Sequence, residues 1–509
     1  MIAFGKGCSA GRRARRAWFY LRWSLLGAML PMIWACNANP LVAPTPDPTR
    51  SGTHDFPASL ENKLDVLFMV DNSPSMKLLQ DKLIAQFPSF IDPLKMVPTP
   101  DGSGFALPDI HVAVVSSDTG PGKFQSAPGC RFGGDNGQFQ FAPRQPCTKS
   151  PLHTTPTQQT FLSASMNQTV TNFDGDISDA FACIAALGQA GCGFEGQLKS
   201  VRWALDPLNT PDTNVGFLRE DATLAVVLIT NEDDCSVPDD SDLVDPTQSL
   251  MADPLGPLWS FRCNEFGHLC NIGGKLQAPP RGPADHLQGC VSNETQTPTA
   301  TAPHGLLTKI GDEVAFLKGL KTDPTRIVVA AITGLPTDYS IEMIQNPGDP
   351  EMHPSIKASC GSHTAVGADP AVRLLQWVNA FGNHGVAQDI CADTLDDALK
   401  TIANLIKINL GPPCVTGQLM DRDPSTPELD PECQVTDIYT DDQKHEHQTA
   451  LQACAVNATP PCWSLVDDVQ CAGAKKLNVT RAAGTLPDGL HTTISCSLCI
   501  PGVARPGCP

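Results

Sequence analysis

The chain lacks the signatures that mark the common enzyme classes. Its 509 residues hold no P-loop, no HExxH and no dinucleotide-binding glycine pattern set between a strand and a helix, and the GxSxG match Gly7-Cys8-Ser9-Ala10-Gly11 lies in the basic N-terminal stretch and follows no strand-like run. That argues against α/β-hydrolase chemistry, P-loop phosphoryl transfer, zincin-type hydrolysis and nicotinamide binding. One CxxC is present, Cys496-Ser497-Leu498-Cys499, whereas a paired-CxxC zinc site needs two. Positive charge is scarce as well: 35 Lys and Arg stand against 54 Asp and Glu, a formal charge of −19. Such a surface repels nucleic acid and anionic lipid and favours cations. No repeat of fixed period is visible. The N-terminal apolar run, residues 25–35, is too short to span a bilayer, and Pro31 interrupts it.

That N-terminus has the form of an export signal. Lys6, Arg12, Arg13, Arg15, Arg16 and Arg22 precede the apolar run with no acid among them, and without these six the charge becomes −25. Ile33-Trp34-Ala35-Cys36 resembles a bacterial lipobox, so residues 1–36 are the expected signal peptide and Cys36 the expected lipidation site. The expected location is the cell envelope, lipid-anchored at the outer membrane, or secretion. Cysteine use agrees with export. Of 20 cysteines, ten lie from Cys130 to Cys391 and eight from Cys414 to Cys508, even numbers that suit disulfides within two separate modules.

Residues 37–62 are rich in Pro, Thr, Ala and Asn and read as a tether. Residues 64–70, 110–115, 224–230 and 326–332 are apolar runs of strand length. Between and after them lie amphipathic helical stretches: 79–91, 177–187, 195–205, 307–317, a helix opened by Asp369-Pro370, and one from about Thr394. Strands alternating with helices imply an α/β fold, a doubly wound, mostly parallel, Rossmann-like sheet. Two polar, Cys-bearing insertions, roughly 118–175 and 235–303, interrupt it. Gly411-Pro412-Pro413 ends the pattern, and 411–509 reads as a small, β-rich, disulfide-rich domain with up to four bridges. The short spacing of Cys183 and Cys192 suggests one bridge; Cys360–Cys391 is a second candidate pair.

The first strand ends in Asp71-Asn72-Ser73-Pro74-Ser75. Asp71, Ser73 and Ser75 put three oxygens at the carboxyl end of a buried strand, where open α/β sheets bind ligands. Hard divalent cations take oxygens of this kind. The competing reading is a helix N-cap. The central strand likewise ends in Asn231-Glu232-Asp233-Asp234, for which a solvated acidic loop is the alternative. His445-Glu446-His447 places its imidazoles at i and i+2, off one helical face, and reads as surface.

These residues resemble von Willebrand factor type A domains, in particular the exported type A proteins of myxobacteria. The likeness rests on Leu64–Ser75 with its DxSxS, on Gly191-Cys192-Gly193-Phe194-Glu195, on Gly216-Phe217-Leu218-Arg219 and on Glu232-Asp233-Asp234-Cys235-Ser236. It covers about residues 63–410. It implies one Mg²⁺ or Ca²⁺ held by Asp71, Ser73 and Ser75, by a Thr of a second loop, and by an Asp after the central strand, with one position left for an acidic residue of a protein partner. In this chain the second-loop position falls near Gly191–Glu195, which holds no Thr, so that Glu195 or a water would take its place, and the last falls at Asn231, with Asp233 as a substitute. A carboxylate added at Glu195 would lower the appetite for an acidic ligand. The expected function is metal-dependent protein binding or adhesion at the cell envelope, without catalysis. The alternative is a structural envelope lipoprotein whose degenerate site binds no metal.

Overall fold

The computed structural model describes residues 50–57, 62–99, 104–125, 127–144, 159–208, 211–296, 304–336, 338–345, 351–361, 367–410, 414–415, 417–425, 429–441, 443, 445–454, 459–467, 471, 474–482, 486–487, 490–499 and 507–508. The signal peptide and Cys36 lie outside them.

A six-stranded sheet carries the α/β unit. Its strands are β1 (Lys63–Val70), β2 (Asp109–Ser116), β3 (Leu162–Ala164), β4 (Thr223–Ile229), β5 (Ile327–Thr333) and β6 (Gly385–Asp389). Their order is β3-β2-β1-β4-β5-β6. All pairings are parallel except that of the short edge strand β3 with β2. The helices are α1 (Lys77–Gln86), α2 (Pro88–Leu94), α3 (Ile177–Ala185), α4 (Gln197–Leu205), α5 (Ile310–Lys318), α6 (Arg373–Asn379) and α7 (Asp396–Leu410).

The apolar runs are continuous because both faces of each strand are covered. Leu64, Val66, Phe68 and Val70 point into one core with residues of α1, α2, α3 and α7, while Leu67 and Met69 point into the other with α4, α5 and α6. Phe68 sits at the centre of an aromatic group, with ring centroids 5.7 Å from Phe87, 5.2 Å from Phe90 and 4.9 Å from Phe181. Burying each such side chain contributes roughly 1.5–3 kcal/mol. The expected single helix 79–91 is two helices, because Pro88 lacks an amide proton and instead starts α2 at its first position.

Two expectations are corrected in the connecting segments. Asp369-Pro370 does not open α6: the helix starts at Arg373, and its first turn is capped by a residue distant in sequence, as shown below. Cys183 and Cys192 are not bonded to one another. Cys192 pairs with Cys130 from the first insertion, and Cys183 is in a different disulfide. Sequence proximity did not decide the pairing, because Cys183 faces inward from α3 while Cys192 packs beside Cys130 under Phe194. Cys360 does pair with Cys391. Cys235–Cys263 and Cys270–Cys290 staple the second insertion.

The tail forms a seven-stranded sheet around Val415, Val435, Trp463, Leu477 and Ile494. Four disulfides tie it: Cys414–Cys471, Cys433–Cys496, Cys454–Cys462 and Cys499–Cys508. Its edge strand, Arg50–Pro57, comes from the segment expected to be a tether and pairs antiparallel with His491–Leu498. So many disulfides are consistent with an oxidising, extracellular setting. Among the described residues no helix is long and apolar enough to cross a membrane.

Candidate functional site

The register of the sheet brings the carboxyl ends of β1, β2 and β4 level. Val70 pairs with both Ser116 and Ile229, so Asp71, Ser117 and Thr230 emerge side by side. The Asp71 amide still donates to the Ile229 carbonyl at 2.9 Å, which carries the strand pairing to the edge of the site.

Asp71 is fully buried and its carboxylate is held by three donors. Oδ1 accepts from the Ser73 amide at 2.8 Å and the Ser117 hydroxyl at 2.9 Å; Oδ2 accepts from the Thr230 hydroxyl at 2.7 Å. Burial pushes this carboxyl above the usual range, and the three donors pull part of the shift back. Gln80 of α1 donates to the Asp71 carbonyl at 2.8 Å and fixes the backbone. Ser73 Oγ lies 3.2 Å from Ser75 Oγ, and Asn231 Nδ2 donates to Ser75 Oγ at 3.0 Å. Asp71, Ser73, Ser75 and Asn231 therefore form one cluster. The N-cap alternative fails on one point: Ser73 occupies the cap position of the short turn Pro74–Met76, yet its side chain makes no cap bond. Its hydroxyl is not spent on the helix.

Glu195 belongs to this cluster too. It is 1% exposed and one carboxylate oxygen, Oε1, is buried with no hydrogen-bond partner. Burial first, then the charges of Glu232 and Asp71, push its carboxyl well above the usual range, and Glu232 shares a hydrogen bond with it. The loop that carries it is pressed against β1 and β2. A Cβ on Gly191 would stand 2.3 Å from Asn72 Oδ1, and one on Gly196 would stand 2.3 Å from Thr119 Oγ1. The Cys130–Cys192 bridge pins the same loop.

Asp233 is not part of the cluster, and this corrects its expected place among the ligands. Its oxygens accept from the amides of Val372 at 2.7 Å, Arg373 at 2.8 Å and Leu374 at 3.0 Å, and face His268 Nε2 at 2.8 Å. It is the cap of α6, supplied from a distant loop. Burial raises its carboxyl, but His268 and the amides outweigh burial and hold it below the usual range. Asp234 turns the other way, into a fully buried ion pair with Arg373 at 2.9 Å.

Three members were not singled out from sequence: Ser117, Thr230 and Glu232. The signal existed for the first two, since each ends an apolar run next to β1 in the same manner as Asp71. Two carboxylates, Asp71 and Glu195, with hydroxyls of Ser73 and Ser75, are hard oxygen donors that suit Mg²⁺ or Ca²⁺. An orphaned, buried carboxylate oxygen beside a second carboxylate fits a cation. Among the described residues no group of three or more His, Cys, Asp or Glu is placed to hold a metal ion, so an ion here would take hydroxyls as part of its set.

Two hollows open beside the cluster. One, of about 670 Å³, is bordered by Ser75, Phe194, Glu195, Glu232, Leu258 and Trp259, among others. A smaller one, of about 190 Å³, lies on the other side of Glu232 and Trp259 and reaches Ser75, Asn231 and Asp369.

No family model and no curated protein matches the chain. Solved structures similar to it include the pilus adhesin SpaC from Lactobacillus rhamnosus GG in an open conformation (11% identity, 89% of this chain and 41% of that one, TM-score 0.28). Others are proximal thread matrix protein 1 from the mussel byssus (11% identity, 72% and 51%, TM-score 0.27) and the pilus adhesin RrgA from Streptococcus pneumoniae (10% identity, 88% and 58%, TM-score 0.25). The chain spans less than two thirds of the length of each. At these scores the likeness carries no argument about fold or function.

Proposed function

We propose that this protein is an exported binding protein whose α/β unit is of the von Willebrand factor type A kind and holds one divalent cation, Mg²⁺ or Ca²⁺. Asp71, Ser73, Ser75 and Glu195 are the proposed ligands, with Asn231 orienting Ser75. The observation that carries the reading is the buried, unpartnered Glu195 Oε1 next to the buried Asp71. Two carboxylates taken out of water need a shared proton or a cation between them. The strand order, with the DxSxS strand β1 between the parallel strands β2 and β4 and one short antiparallel edge strand beyond β2, supports the fold assignment.

When bound, the ion supplies the largest local charge and orients an oxygen of a protein partner at the cell envelope. Lipid attachment at Cys36 is the proposed anchor. The reading is of a binder and not an enzyme. Calorimetric titration of the full-length protein and of Asp71→Ala with MgCl₂ and with CaCl₂ tests it. Saturable one-to-one heat in the wild type and none in the variant is expected. Equal heats, or no heat in either, would remove the cation.

A second reading is a structural envelope protein with a silent site. It is favoured by one observation: the carboxylate of Asp71 is already supplied with three donors. It predicts that chelation leaves stability and partner binding unchanged.

A further inference from the structure

We infer that the smaller hollow, of about 190 Å³, is a binding site for one neutral saccharide ring. The inference goes beyond the proposed cation site and does not rest on it. Three observations carry it.

The first is a set of polar groups left without partners. Asn264 lines the hollow and is 7% exposed, and its side-chain amide has no hydrogen-bond partner among the described residues. Buried amides are as a rule hydrogen-bonded, so this one points to a ligand or to ordered water. Ser260 also lines the hollow. It stands at the cap position of the helix Phe261–Gly267, yet its hydroxyl makes no cap bond. The indole N–H of Trp259 is likewise unpartnered among the described residues.

The second is the mixture of chemistry around one space. The carboxyls of Glu232 and Asp369 border it together with the amide, the hydroxyl and the indole. Carboxyl oxygens accept in either protonation state, and an indole N–H can only donate. An anion meets two carboxyls, and a cation meets the indole N–H. A neutral ligand whose polar groups each donate and accept satisfies both kinds of wall, and neighbouring hydroxyls on a ring are such groups. Trp259 offers that ring an apolar surface. Its orientation is fixed by stacking on His353, with ring centroids 5.6 Å apart and 15° between the planes. The amide side chain of a protein partner, the competing occupant, brings fewer polar groups and no apolar face.

The third is size and rigidity. At about 190 Å³ the hollow exceeds the ~30 Å³ share of one water and falls below the roughly 300–1,000 Å³ of drug-sized sites, which suits a single small ring. One wall is the antiparallel hairpin of Ile341–Gln345 and Met352–Ile356, whose Ile341 and Ile356 share a small core with Phe261 and Tyr339. The Cys235–Cys263 and Cys270–Cys290 disulfides tie the helix that carries Asn264 and the strand after it. The walls are preformed, so little ordering entropy is lost on binding. Ser75 and Asn231 border the same hollow, which places a bound ring next to the DxSxS cluster.

The test uses the full-length protein and saturation-transfer NMR with the methyl glycosides of glucose, mannose, galactose and N-acetylglucosamine, each in MgCl₂ and in EDTA. Acetamide serves as the mimic of a partner's amide side chain. At least one glycoside is expected to bind in the millimolar range in both media. Asn264→Ala is expected to weaken it at least tenfold at an unchanged melting temperature, because the amide it removes has no partner in the protein. Trp259→Leu is expected to weaken it as well. Absence of transfer to all four glycosides, an unchanged affinity in Asn264→Ala, or tighter binding of acetamide than of every glycoside would overturn the inference. Binding that EDTA abolishes would overturn it too, since the ion would then hold the ring. Glycoside binding in EDTA, with no Mg²⁺ heat in calorimetry, removes the cation and leaves the saccharide site standing.

Discussion

Replacing Glu195 by Gln separates the cation site from ordinary structural roles. The amide has the same size and can still hydrogen-bond Glu232, but it brings no charge to a position that is 1% exposed. Two opposite effects are expected. Without metal, the variant melts at or above the wild type at pH 7, because burial beside Asp71 and Glu232 raises the carboxyl of Glu195 and a neutral amide escapes that cost. With metal, the wild type gains and the variant does not. A ligand at one hundred times its dissociation constant stabilises by about 2.7 kcal/mol. An α/β unit of roughly 350 residues has an unfolding entropy of ~0.7 kcal/mol/K, so that gain raises the melting temperature by about 4 °C. Differential scanning calorimetry of both proteins in EDTA, in MgCl₂ and in CaCl₂ reads all of this. An unchanged wild-type melting temperature, or a full metal-dependent rise in Glu195→Gln, would refute the assignment of Glu195 as a ligand.

The corrected role of Asp233 gives a complementary variant. Asp233→Ala strips the acceptor from three amides of α6 and from His268, and at about 1–2 kcal/mol for the lost cap plus a buried imidazole left unpaired it should destabilise by about 3 kcal/mol or more. Chemical denaturation measures that loss, and the Mg²⁺ heat of the folded variant should equal that of the wild type. Stability should also fall as pH rises from about 4.5 to about 7. Glu313 is pushed up to about 7 by burial, against the pull of Arg202, so in that window the folded protein keeps a proton that the unfolded chain has released. Glu313→Gln should flatten the slope by up to roughly 3 kcal/mol in urea titrations between pH 4.5 and 7, and an unchanged slope would refute the assignment.

The strands were legible in the sequence because a parallel strand covered on both faces reads as a nearly continuous apolar run, and β1, β2, β4 and β5 do so, with the buried Asp65 and His111 as interruptions in β1 and β2. The oxygens at the end of β1 were legible for a related reason. Polar residues that abruptly follow such a run sit at the rim of the sheet. The cap of α6 was misread because Asp369-Pro370 has the local form of a helix start, while the acceptor that the helix uses is Asp233, 139 to 141 residues away in sequence. The disulfide of Cys192 was misread in the same way: its partner Cys130 is 62 residues distant, and the nearer Cys183, buried on α3, is in a different disulfide.

By itself, then, the sequence determined the alternation of buried strands and helices, the position of the Asp71, Ser73 and Ser75 oxygens at a strand end, and the density of cysteine that suits disulfides. These depend on composition and period, which are local. Only the tertiary structure decided which member of Glu232-Asp233-Asp234 faces the cluster, that Ser117 and Thr230 donate to Asp71, and that Glu195 leaves an oxygen without a partner there. Each of these depends on the direction in which a side chain leaves a turn and on what another part of the chain presents to it. Neighbouring carboxylates are interchangeable in a sequence. Burial and the arrival of particular N–H groups make one a helix cap, one half of an ion pair with Arg373, and one a wall of the cleft.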